Sequence, residues 1–191
     1  IRRQRQMCIR DSVYFYKGEY NKGIELFQKY LKISEEIRDK RGIGMANIYL
    51  GVLFLEIGEF EKAKNFLSSA EKFFKEIGEK SGLVYVFTSI AELKIKIKGR
   101  EFVKEALYYV DEALRLAQEL DSKQWIGLCY LTYGKVLKDL KVDELEGFGV
   151  KEFWKGESVL SVAEGYFKQA ITIFEELKQP FELAKAYYYY G

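Results

Sequence analysis

The side chains able to do covalent or acid–base chemistry are few and poorly spaced for it. The 191 residues contain no histidine, which removes the commonest general base and the commonest metal ligand. Cys8 and Cys129 do not make a disulfide framework and point to a reducing compartment, the cytoplasm. Gly147-x-Gly149 lacks the lysine–serine end that a phosphate-cradling loop needs. Carboxylates such as Glu35-Glu36 and Glu175-Glu176 lie among lysines, as solvated helix faces do. Catalysis, a bound cofactor and a metal centre are therefore not expected. The chemistry left is recognition, for which aromatic side chains are abundant at 16% of the chain. One glycine-rich stretch gathers three of them, Phe148, Phe153 and Trp154. It reads either as a recognition lip or as a flap packed on its own scaffold.

Charge adds little once the first residues are set apart. Arg2 to Ser12 back-translates in a single frame to a string that resembles a transposase adapter used in sequencing libraries, so residues 1–12 are expected to be non-native. Without their four Arg and one Asp, the chain's 31 basic and 29 acidic residues fall from a formal +2 to −1. The basic tail that would suggest nucleic-acid binding disappears with them. No apolar run approaches the roughly 20 residues of a membrane span.

The elements that position the remaining side chains are helices arranged in register. Proline occurs once, at Pro180, and 48% of the residues are apolar. Small residues recur as Gly23, Ala63, Ala106 and Ala163, each followed 28 residues later by Gly51, Ala91, Gly134 and Gly191. Leu26, Phe66, Tyr109 and Tyr166 form another column, and Ile33, Phe73, Leu116 and Ile173 a third. Cys129 falls in a column with Ala46, Val86 and Ala186 and reads as a small buried hydrophobe. Helices are expected near 20–38, 43–57, 60–77, 81–98, 102–120, 123–140, 158–178 and 180–191, with Val13–Lys17 the end of an earlier one. The column spacing leaves 17 additional residues, 141–157, as an insertion in one turn.

The pattern Leu50-Gly51-x-x-Phe54 … Gly58-x-Phe60-x-x-Ala63 … Leu67-x-x-Ala70 resembles the tetratricopeptide repeat. Its period of about 40, against the usual ~34, is similar to longer-helix repeats in bacterial and archaeal signalling proteins. The resemblance covers residues 13–191 in about four repeats, cut within the pattern at both ends. It implies an all-α fold, an α-solenoid of antiparallel helix pairs wound as a right-handed superhelix. A piece of a longer protein is expected, whose open solenoid ends can self-associate.

The resemblance also implies where a partner binds, because the first helix of each such repeat lines the concave surface. Column by column this gives Met45, Ile48, Tyr49, Val52 and Glu56, then Tyr85, Thr88, Ser89, Glu92 and Lys96. Leu128, Leu131, Thr132, Lys135 and Asp139 follow, and then Lys185, Tyr188 and Tyr189. The lining suits a peptide or a partner helix, and neither nucleic acid nor membrane. The carboxylate clamp of chaperone-tail receptors is missing, since Ile48, Val52, Ser89, Leu128 and Thr132 stand in its columns. The expected function is a protein-interaction scaffold. The alternative is a regulatory or sensor segment of a larger signalling or transcription-control protein.

Overall fold

The computed structural model describes residues 20–97, 100–138 and 158–191. The adapter-like residues 1–12, Val13–Lys17, Asp139 and the insertion with Phe148, Phe153 and Trp154 lie outside the described residues. Among these, the chain forms α-helices only: α1 Tyr20–Glu36, α2 Lys40–Glu56, α3 Phe60–Ile77, α4 Lys80–Ile97, α5 Arg100–Glu119, α6 Lys123–Lys138, α7 Val159–Glu176 and α8 Pro180–Tyr190. Within each of two compact units consecutive helices pack on one another, α1 on α2 and α2 on α3, then α5 on α6, α6 on α7 and α7 on α8. An alternate contact joins α6 to α8, and the whole is the sequential pairing of a helical repeat. The one clear departure from the expected boundaries is the start of α2, three residues early. Asp39 takes extended φ/ψ and its Oδ1 accepts from the Gly42 N–H at 3.0 Å, so the polar stretch 39–42 is an N-cap and first turn rather than a break.

Two kinds of helix alternate. The helices α1, α3 and α5 bury one stripe each. The helices α2 and α6 are buried around most of their circumference, with Ala46, Ile48, Leu50, Gly51, Leu53, Phe54 and Leu55 inside α2 alone. That difference follows from position: a helix with neighbours on both flanks needs apolar residues all round.

The turns after α1, α3, α5 and α7 are copies of one device. A residue in the left-handed region closes each helix: Arg38 (φ 56°), Gly78 (φ 67°), Asp121 (φ 47°) and Lys178 (φ 51°). In each, the next amide donates back five residues, as in Asp39 to Ser34 (2.8 Å), Glu79 to Phe74 (3.1 Å), Ser122 to Ala117 (3.2 Å) and Gln179 to Phe174 (2.9 Å). This satisfies carbonyls that the helix end leaves without intrahelical donors. All four positions stand 15 residues after the small-residue column Gly23, Ala63, Ala106 and Ala163. The helices are therefore a structural repeat, in register at the level of single hydrogen bonds.

The chain divides into two compact units, Ile1–Gly82 and Leu83–Gly191. In the first, α1 packs on α2 and α2 on α3. A side chain at Gly51 would place its Cβ 2.7 Å from Leu67 Cγ, so only glycine lets α2 and α3 approach as they do. Phe27 stacks on Tyr49 at 4.6 Å and Phe54 on Phe66 at 5.4 Å, filling the surrounding gaps. The fully buried Phe74 lies over Gly44 and Gly82. In α5 and α6 the residues in the columns of Phe74 and Gly82 are Ala117 and Trp125, so large and small have changed places there, while Phe174 of α7 keeps the large ring.

In the second unit α5 packs on α6, α6 on α7, and α7 on α8. One cluster joins Leu131, Leu137, Ala163, Phe167, Ala170, Phe174 and Ala186; another joins Ala91, Ala106, Val110, Tyr133 and Val136. Gly134 repeats the role of Gly51, since a Cβ there would lie 2.6 Å from Phe167 Cε1.

Candidate functional site

A pocket of about 390 Å³ opens in the second unit, lined by Glu92, Ile95 and Lys96 of α4, Lys135, Val136 and Lys138 of α6, Phe167 of α7, and Tyr188 and Tyr189 of α8. Three alternate helices supply its walls: equivalent columns of α4 and α6 face the same way, and Tyr188 and Tyr189 of α8, from the columns of Leu131 and Thr132, close the side. Glu92 and Lys135 share one column, 43 residues apart, and Ile95 and Lys138 share another. Phe167 reaches the pocket from α7 beside Gly134, where α6 carries no side chain to block it.

The polar groups are tied to one another. Lys135 Nζ lies 2.9 Å from Glu92 Oε1, with the two side chains only 15% and 24% exposed. The same ammonium sits 3.9 Å from the centre of the Tyr189 ring, within cation–π range. Lys138 Nζ donates to the Tyr189 carbonyl at 2.8 Å, so two lysines of α6 hold one residue of α8. Tyr188 stands edge-on to Tyr189, with ring centres 5.1 Å apart. It is 79% exposed, whereas its column mates Ile48, Thr88 and Leu131 are 0%, 2% and 1% exposed.

Beside the pocket residues lies a tyrosine cluster. Tyr133 and Tyr166 stack at 4.6 Å, and the Tyr133 hydroxyl donates to Asp111. Burial first, and the Asp111 carboxylate second, raise both phenols above their ordinary range. Burial alone pushes the Cys129 thiol up to about 12. These groups stay protonated at neutral pH, and thiolate or phenolate chemistry is closed to them. Among the described residues no cluster of metal-ligating side chains occurs, and no helix is long and apolar enough to cross a membrane. What the arrangement can do is seat an apolar side chain and compensate negative charge.

Five residues assigned to the inner face from sequence, Glu92, Lys96, Lys135, Tyr188 and Tyr189, meet at this pocket. Lys185 on the same helix pairs instead with Glu182 at 3.6 Å and lies 4.7 Å from the Phe181 ring centre. Tyr85 is half-buried and tilts against Trp125, and Leu128 is half-buried. Thr88, Ser89, Leu131 and Thr132 are buried. Their hydroxyls are satisfied within their own helices: Thr88 and Ser89 donate to the Tyr85 carbonyl and Thr132 to that of Leu128, each at 2.9 Å. In the first unit Ile48 is buried, while Met45, Tyr49, Val52 and Glu56 are half-buried along α2.

Ile95, Val136, Lys138 and Phe167 line the pocket without having been singled out from sequence. Lys138 was legible, since it lies one turn from Lys135 and in the column of Ile95. Phe167 was not, because the only signal for it is the missing side chain at Gly134. No known family model matches the chain, and no curated protein matches it.

Proposed function

We propose that the chain is a tetratricopeptide-like interaction scaffold that binds a peptide or partner segment on the inner face of its alternate helices. The observation that supports this reading is the pocket in the second unit, where equivalent columns of α4 and α6 meet Tyr188 and Tyr189 of α8. It has an apolar floor in Ile95, Val136 and Phe167 and a polar, aromatic rim in Lys96, Lys138 and Tyr188. That division matches general sites of recognition, where an apolar anchor is buried and polar groups set its orientation. Among the described residues the buried thiol of Cys129 and the phenol of Tyr133 are held neutral, which supports a binding role over thiolate or phenolate chemistry. We place the scaffold in the cytoplasm and give it a protein partner rather than nucleic acid or membrane. Self-association through the ends of the array belongs to the same reading.

Site-specific photo-crosslinking tests it. A benzoylphenylalanine at Tyr188, on the pocket, is compared with one at Tyr108, which is 61% exposed and does not line the pocket. Partner adducts are expected from position 188 and not from 108. Equal adducts from both, or adducts only from 108, would remove the inner-face assignment.

A further inference from the structure

We propose that Glu92, Lys135, Lys138 and Tyr189 form a latch across α4, α6 and α8, and that this latch sets how far α8 closes on the pocket. The inference goes beyond the scaffold reading and holds for any occupant of the pocket. The contacts run from helix to helix. Lys135 Nζ of α6 donates to Glu92 Oε1 of α4 at 2.9 Å, and the same ammonium lies 3.9 Å from the centre of the Tyr189 ring of α8. Lys138, one turn further along α6, donates to the Tyr189 carbonyl at 2.8 Å. Tyr189 is thus held by its ring and by its backbone together. All four residues line the pocket, so the contacts that hold α8 against α6 also set the width between those two walls.

The two flanks of α8 are attached by different chemistry. Toward α7, Ala186 joins the buried cluster, the Tyr190 ring lies 6.1 Å from that of Phe167, and the Tyr187 hydroxyl donates to Glu175 at 3.0 Å. Toward α6, the attachment described runs through two ammonium groups. A cation–π contact and a charge-assisted hydrogen bond need the lysine charge, whereas apolar packing does not. Removing that charge loosens α8 from α6 and leaves it on α7, to which it is joined through the turn at Lys178 (φ 51°). Glu92 acts through Lys135. With the two side chains 24% and 15% exposed, the carboxylate holds the ammonium within the protein and over the ring, where it would otherwise turn to water. Val52 stands in the column that Glu92 and Lys135 share, so the latch is a feature of the second unit.

Hydrogen exchange of the full chain, read peptide by peptide with α7 as internal reference, tests the latch. Lys135→Met keeps the aliphatic stem and removes the charge. Lys138→Met does the same at an exposed position, where the fold does not depend on it. Each is expected to speed exchange around Tyr189 by roughly three- to tenfold, the scale of one such contact, and to leave α7 unchanged. Lys135→Arg keeps the charge and the ring contact and is expected to restore wild-type exchange. Glu92→Gln is expected to speed exchange as well, and to add nothing once Lys135 is replaced by Met. Thiol labelling of Val136→Cys, a pocket-wall position only 1% exposed, reads the pocket itself and is expected to quicken in both methionine variants. Unchanged exchange around Tyr189, or unchanged labelling, in both methionine variants would overturn the proposal. So would equal acceleration in α7, the mark of a general loss of packing, or failure of arginine to restore exchange. Additive effects of Glu92→Gln and Lys135→Met would overturn the role given to Glu92. These outcomes are independent of the crosslinking from position 188, so the latch and the scaffold reading fail separately.

Discussion

Cys129 shows how completely position can decide a residue's chemistry. Its ordinary value of 9.0 is lifted to about 12 by burial, because a thiolate inside the packed helices loses its hydration with nothing to replace it. The folded chain therefore keeps a proton that the unfolded chain releases. The stability linked to this thiol is intact below pH 9 and is lost as pH rises toward 12, with a limiting slope of about 1.4 kcal/mol per pH unit. Tyr133 is shifted in the same direction, mainly by burial. Urea unfolding in a Cys8→Ser background is expected to show stability falling across that alkaline window, and falling less steeply after Cys129→Ala. Identical slopes would show that the thiol is solvated in the folded state. The substitution itself should cost no more than ~1 kcal/mol, because Ala46 and Ala186 occupy the same column with no exposure.

At the scale of elements, the repeat is written in helix ends and helix crossings. Four turns adopt the left-handed conformation at one column, yet glycine occupies it only at Gly78. Arg38, Asp121 and Lys178 carry the steric cost of a Cβ there, roughly 1–2 kcal/mol each. Glycine's larger unfolded-state entropy returns part of that difference. Lys178→Gly is thus expected to stabilise by up to ~1 kcal/mol and Gly78→Ala to destabilise by ~1 kcal/mol, read by chemical denaturation; the reverse order of signs would contradict the turn geometry. Crossings are less forgiving. Ala106 is fully buried in the cluster with Ala91, Val110, Tyr133 and Val136. Ala106→Glu would bury an unpaired carboxylate and is expected to cost several kcal/mol. Retention of full helicity and an unchanged melting temperature would show that the site is not a crossing.

For the whole molecule, stability should vary along the chain, since each helix answers mainly to its neighbours. In α8 Ala186 is the buried residue, while α2 and α6 bury residues on nearly every turn. Native-state hydrogen exchange is expected to show the least protection in α8 and the most in α2 and α6. Uniform protection across all helices would mean a single cooperative core instead of a graded array. The helical class, the eight described helices to within about three residues at their starts, and the register of the small-residue columns were legible in the chain itself. Those features depend on local periodicity and on where a side chain is absent, and both are written in residue order. The cap at Asp39 was readable in principle, but a polar stretch of four residues before an apolar run looks the same whether it breaks a helix or begins one. The left-handed column was hidden, because three of its four members are not glycine. Which inner-face residues keep any surface was decided only in three dimensions. Thr88, Leu131 and Tyr188 share a column, and neighbouring helices bury the first two and leave the third exposed. The meeting of Lys135 with Glu92 and Tyr189, and of Phe167 with Gly134, likewise depends on how closely helices far apart in sequence approach. Residue order sets the direction of each side chain along its own helix. The pocket arises from distances between helices, which only their packing determines.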